Sequence, residues 1–233
     1  MALLRLGPSA AAKEKRLATL LGGRAPSSLG LEEAVRDAQL LGSLELAGEA
    51  SSVDDVRAAR RGERASAAAS GLLRAVEAVD PRAPLTVEAL LAWHRALGLG
   101  SGFRTREASR DDGPAPGPVE FIASRLAILE QWLGVESSRE LKPAQAGALA
   151  MARIVEILPF AAGNGRVARL AASHLMVRAG ARPPVLVGTD AARLEASLRA
   201  AFQLSTEPLT SLLEDASERA LDVMIGLLAG APG

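Results

Sequence analysis

Almost every stretch of this chain longer than about ten residues is built from Ala, Leu, Arg and Glu. These residues lose little on entering a helix. Aromatic residues make up only 3% of the chain and Tyr is absent, so material for a sheet is scarce. The apolar positions recur at three- and four-residue spacing, which predicts an all-α fold. The expected helices span about 10–21, 30–50, 52–79, 86–98, 118–133, 143–157, 164–179, 190–203 and 207–229. Gly22-Gly23, Asp80-Pro81, Gly98–Gly102, Pro183-Pro184 and Glu207-Pro208 punctuate them. Ser52, three residues before Asp55, reads as an N-cap with an acidic first turn. The 233 residues suffice for one sizeable core or two small ones.

Composition removes several classes of function. Lys+Arg and Asp+Glu are both 27, so no net field draws the chain to nucleic acid or to an anionic membrane. No apolar run is long enough to span a bilayer. Cys is absent, which excludes disulfides and thiolate metal sites and fits a reducing cytoplasm. Residues 1–23 mix Lys13, Glu14, Lys15 and Arg16 into their apolar positions and lack a signal-peptide layout.

The segment Leu158-Pro159-Phe160-Ala161-Ala162-Gly163-Asn164-Gly165-Arg166-Val167-Ala168-Arg169 carries the chemistry. Gly163-Asn164-Gly165 precedes an amphipathic run, and a glycine-rich turn opening a helix presents free N–H groups and the positive dipole end to an anion. Arg166, Arg169 and Ser173 share one stripe of that helix, and guanidinium forks suit phosphate oxygens. Val167, Leu170, Ala171, His174 and Leu175 share a mostly apolar stripe, which makes His174 a core residue. A Gly-rich turn with two solvated arginines is the plainer alternative. Phe103-Arg104-Thr105-Arg106, before the turn-forming run Asp111–Pro118, reads as a short strand leading into a surface hairpin or a connecting loop.

These residues resemble the Fic (fido-fold) family, whose core motif is HxFx(D/E)GNGRxxR. Phe160, Gly163, Asn164, Gly165, Arg166 and Arg169 stand at matching spacing. Ala144–Ile157 resembles the helix leading into that motif. Phe103–Arg106 resembles the target-binding flap. Ser43-Leu44-Glu45-Leu46-Ala47-Gly48 resembles the inhibitory motif (S/T)xxxE(G/N). The resemblance covers roughly residues 30–225. It implies a single helical domain over 29–233 with a short β-hairpin flap, an inhibitory-type helix and the core motif at 158–169, preceded by a helical extension over 1–28. It also implies AMP transfer to a target hydroxyl; a bacterial, cytoplasmic protein is expected. The motif His would act as base, the acid would hold Mg²⁺, and the second arginine would meet the terminal phosphate or the inhibitory Glu.

Three departures follow from the same alignment. Leu158 stands at the His position and cannot accept a proton. Ala162 stands at the metal acid, so Mg²⁺ binding is expected to be weak or absent. Ala47 stands at the inhibitory Glu, which leaves Arg169 without its expected partner. On an ideal helix Glu45 and Glu49 lie about 160° and 200° from Ala47 and do not replace it. His94, His174, Asp111 and Asp112 are the remaining candidate bases. The expectation is a degenerate Fic-fold pseudoenzyme with a phosphate or nucleotide site at Gly163, Asn164, Gly165, Arg166 and Arg169. It would act as a binding or regulatory module on a protein partner or a phosphate-bearing small molecule. The alternatives are a Fic-fold enzyme with non-standard chemistry on a phosphorylated or carboxylated substrate, residual AMP transfer, and a purely structural turn.

Overall fold

The computed structural model describes residues 8–109, 115–135 and 140–230. Ten α-helices run through them: α1 (Pro8–Leu21), α2 (Leu31–Glu45), α3 (Val53–Arg60), α4 (Ala67–Glu77), α5 (Val87–Ala96), α6 (Ile122–Gly134), α7 (Pro143–Ile157), α8 (Asn164–Arg178), α9 (Ala191–Phe202) and α10 (Glu207–Leu228). No strand forms among the described residues. No described helix is long and apolar enough to cross a membrane.

The helices α7 and α8 make the most extensive packing in the molecule. Small residues allow it. Ala148, Ala150, Ala168, Ala171 and Ala172 are buried in the seam. A Cβ on Gly147 would stand 3.2 Å from Met176 Cγ and 3.3 Å from the Ala172 carbonyl. Around this pair the main core gathers Leu72, Trp93, Leu126, Ile154, Phe160 and Leu212. A second core joins Leu17 of α1 to Leu31, Val35, Val185, Ala220, Leu221, Met224 and Ile225. Lys13 clamps α1 to α10 through Glu218 at 2.8 Å and Asp222 at 2.7 Å.

Two expected helices change on folding. The stretch 52–79 is two helices, not one. Ser52 accepts from the Asp55 N–H as expected, but Gly62 turns left-handed at φ 70° after α3. Ser66 then caps α4 by accepting from the Ala69 N–H, while Asp55 accepts from both the N–H and hydroxyl of Ser66. The hydrogen bonds from Ser66 hold the Asp55 carboxyl below its ordinary pKa. Ser66→Ala is expected to cost about 1–2 kcal/mol in urea unfolding, because it removes the cap and a partner of Asp55 together. The second change is at 30–50, where the helix stops at Glu45 and Gly48 turns at φ 73°.

The expected strand at Phe103–Arg106 is irregular instead. Its hydrogen bonds go to a loop rather than a ladder. The Arg104 N–H donates to the Pro159 carbonyl at 2.9 Å. The Arg104 guanidinium donates to the carbonyls of Leu158 at 2.8 Å, Arg106 at 2.9 Å and Gly117 at 2.5 Å. Asp111 and Asp112 lie outside the described residues.

Candidate functional site: the turn between α7 and α8

The site begins with a backbone reversal. Leu158 ends α7 in the left-handed region, at φ 51° and ψ 58°. For a non-glycine residue that conformation costs about 1–2 kcal/mol. Arg104 holds the Leu158 carbonyl from one side, and the Leu158 N–H remains bonded to Ile154 at 3.1 Å. Phe160 then drops into the core, fully buried. Its ring stacks on His94 with centroids 3.9 Å apart and planes within 5°, and Phe103 packs against it at 6.0 Å.

Asn164 closes the turn. Its side-chain oxygen accepts from the Phe160 N–H at 2.9 Å, and its amide donates to the Phe160 carbonyl at 2.8 Å. The side chain of Asn164 is therefore committed to the loop, and only its backbone N–H is available to an anion. Gly163 precedes it at φ 80°, where a Cβ would stand 2.6 Å from Leu99 Cδ1. No side chain caps α8, so its first-turn N–H groups face outward at the positive end of the dipole.

The two arginines have different surroundings. Arg166 is buried; its Nη1 stands 3.4 Å from Glu49 Oε1, and its Nε has no partner. Arg169 is held by Ser43, donating from Nε to the hydroxyl at 3.0 Å and from Nη2 to the carbonyl at 2.8 Å. Its Nη1 lies 3.2 Å from where a Cβ on Gly165 would be. Among the described residues no carboxylate pairs with it. Burial, with the charge of Arg166 beside it, pulls its pKa down to about 10. It stays protonated at neutral pH.

The helical-phase argument against Glu49 fails here. Ala47 and Glu49 both lie beyond the end of α2, so no helical phase applies to them. Ala47 is exposed, and Glu49 reaches the first arginine rather than the second. Glu45 is elsewhere, accepting from the Gly188 N–H at 2.8 Å.

Neither histidine is placed as a base. His94 is buried, and its Nε2 faces the Ala162 carbonyl at 3.1 Å, which makes it a donor there. Burial lowers its pKa. His174 packs edge-on to Trp93 at 5.6 Å, and burial lowers its pKa too. Of the expected flap residues, Phe103 and Arg104 serve the packing of the turn, while Thr105 and Arg106 are exposed. Reading the sequence missed the roles of Glu49 and Arg104. The position of Glu49 directly after the turn glycine Gly48 was the available signal.

Comparison with known proteins agrees with this geometry. Residues 84–176 match the Fic/DOC family. The chain carries a Fic/DOC-family domain. "Protein adenylyltransferase Fic" of Drosophila melanogaster is 30% identical over 154 residues, which is 64% of this chain and 31% of that protein. The same-named proteins of Drosophila sechellia and Drosophila simulans match equally. The chain thus spans about a third of the length of these curated relatives.

Solved Fic structures share the fold. Fic-1 from C. elegans superposes with a TM-score of 0.80 at 19% identity, covering 95% of this chain and 72% of that one. A Fic domain containing signaling protein from Bacteroides thetaiotaomicron gives 0.79 at 20% identity, covering 97% and 99%. IbpAFic2, solved covalently tethered to Cdc42, gives 0.55 at 13% identity, covering 89% and 70%. The all-α Fic fold therefore extends well beyond the matched residues.

Proposed function

We propose that this Fic protein is an anion-binding module that has lost AMP transfer and acts by holding a phosphate-bearing ligand or a protein partner. The observation that carries this reading is Leu158 at the reversal where the family's base would stand. Its side chain takes no proton, His94 beside the turn is occupied by packing, and His174 lies further along α8 against Trp93. Loss of a general base lowers rates by about 10²–10⁴. The family's Mg²⁺ does not fit the residues present. Ala162 offers a methyl group where an oxygen ligand is required, and Glu49 is engaged by Arg166.

What remains is a cradle. The first-turn N–H groups of α8, the Gly165 backbone and the Arg166 and Arg169 guanidiniums would hold the oxygens of a phosphate without metal assistance. Glu49 would compete as an internal anion and tune affinity. The Fic domain would occupy residues 29–233, with residues 1–28 as an extension. The exposed Thr105 and Arg106 would meet a protein partner, as suits a fold whose relative IbpAFic2 engages Cdc42.

Two measurements test this. Labelled ATP with Mg²⁺ or Mn²⁺ and bacterial lysate is expected to give no transfer; robust labelling that disappears in Arg166→Ala would overturn the loss of activity. In calorimetry, metal-free pyrophosphate is expected to bind, to weaken at least about tenfold in Arg166→Ala and to tighten in Glu49→Gln. Absence of binding to all three proteins would leave the turn a purely structural element.

A further inference from the structure

A sizeable cavity lies away from the turn. It is a cleft of about 610 Å³ between α2, α4, α8 and the loop at 180–184. That volume is in the range of small-molecule sites. Neither Gly163, Gly165 nor Arg166 lines it. It starts one helical turn further along α8, at Arg169, and continues past Ser173 to Val177. Its walls are mainly apolar, formed chiefly by Val35, Leu40, Leu72, Val76, Leu170 and Leu186, with the charged side chains of Glu14, Glu32, Arg36 and Arg182 also lining it. The buried ring of His174 lies among the lining residues, where burial favours its neutral form.

One polar seam crosses these apolar walls, between α2 and α8. Gln39 Nε2 donates to Ser173 Oγ at 3.3 Å and to the Pro184 carbonyl at 3.0 Å. One turn along, Arg169 Nε donates to Ser43 Oγ at 3.0 Å. Both hydroxyl oxygens therefore act as acceptors, while among the described residues the hydrogens of Ser43 and Ser173 have no acceptor of their own. In a helix a serine hydroxyl commonly turns back to the carbonyl four residues earlier. Thr19 and Thr210 do so in this molecule, whereas Ser43 and Ser173 do not. Two unspent O–H donors one turn apart, backed by an Arg169 guanidinium that pairs with no carboxylate, await an anionic acceptor. Of the other two cations lining the cleft, Arg36 is exposed and Arg182 is already held by Glu14 at 2.8 and 3.0 Å.

We propose that the cleft between α2, α4 and α8 binds a small organic carboxylate, its head group on the Ser43 and Ser173 hydroxyls in front of Arg169 and its apolar body along Val35, Leu72 and Val76. A single deep cation suits a monoanion rather than a phosphate dianion. The ligand differs in class from the one proposed for the turn and shares only Arg169 with it, and Arg166, which does not line the cleft, tells the two apart.

Trp93 and Trp132 are the only tryptophans, and Trp93 packs on His174, which lines the cleft. Tryptophan emission therefore reports on occupancy. Titration with decanoate is expected to give a saturable change with one site in calorimetry, at least about tenfold tighter than decanol. Ser173→Ala is expected to lower decanoate affinity about tenfold and leave decanol unchanged. Val76→Trp is expected to abolish decanoate binding in calorimetry while its helical circular dichroism matches wild type. Arg166→Ala is expected to weaken pyrophosphate but not decanoate. The proposal is overturned if decanoate does not saturate, if decanol binds as tightly, or if Val76→Trp binds normally. It is equally overturned if Arg166→Ala removes decanoate together with pyrophosphate, because the acid would then sit at the turn.

Discussion

Leu158→His combined with Ala162→Glu is expected to raise AMP transfer from labelled ATP at least about 10²-fold above the wild-type chain. The reversal that would present the base is intact. Residue 158 sits in the left-handed region, where His is several-fold commoner than an aliphatic residue. The clamp on this reversal uses the residue-158 carbonyl, so Arg104 holds it whatever the side chain. Asn164 pins the loop through the Phe160 backbone, which the double variant leaves untouched. Ala162 is exposed, so a Glu there meets no packing penalty. Self-labelling in the presence of Mg²⁺ is the measurement, with Leu158→His alone as the control lacking a metal ligand. A double variant that melts like wild type but transfers nothing would show that nucleotide placement has gone along with the chemistry.

Gly42→Ala is expected to be the most damaging conservative substitution in the chain. Gly42 lies inside α2 with the Leu186 carbonyl against it. An added Cβ would stand 1.7 Å from that oxygen and 2.8 Å from its carbon. Neither side can yield. The Val185 N–H is bonded to the Ala216 carbonyl at 2.9 Å, and Arg219 grips both the Val185 carbonyl and Asp190. From α2, Gln39 holds Pro184 and Glu45 holds Gly188. Overpacking of this kind costs about 3 kcal/mol or more. In a domain of this size that lowers Tm by roughly 6–12 °C. The displaced α2 would also carry Ser43 away from Arg169. Gly226→Ala in α10, where nothing lies within 4 Å of the added atom, is the control and is expected to stabilise slightly. If calorimetric melting shows equal Tm for the two variants, the close approach at Leu186 is unimportant.

How much of this was legible beforehand depended on the range of the interaction. The α7 and α8 helices, the Ser52 cap and the Gly163 turn follow from neighbours within a few residues, and the sequence pattern located them. The break between α3 and α4 was written in Gly62 and Ser66, but strong helix formers on both sides masked it. Glu49 was discounted because α2 was taken to run to residue 50; its contact with Arg166 spans 117 positions. Arg104 was placed on a target-facing strand, and only the folded chain brings three carbonyls around it. Gly42 carried no local signal at all, since its partner at Leu186 lies across the fold. The family motif was readable because its spacing is local. The occupancy of its arginines was not, because Ser43 and Glu49 arrive from another helix and the turn that follows it.

The seating of α1 on α10 has a consequence for the order of assembly. The polar contacts of Ser9 with Glu218 and Lys13 with Asp222 both span 209 positions. The earliest described helix therefore cannot dock until the last described helix has emerged. Until then Leu17, Leu31 and Val35 lack the partners from α10 that complete the second core. Contacts of such range form late, after shorter loops have closed. The turn at 158–169 needs none of them. On a translating ribosome the turn between α7 and α8 emerges before the helix that closes the second core.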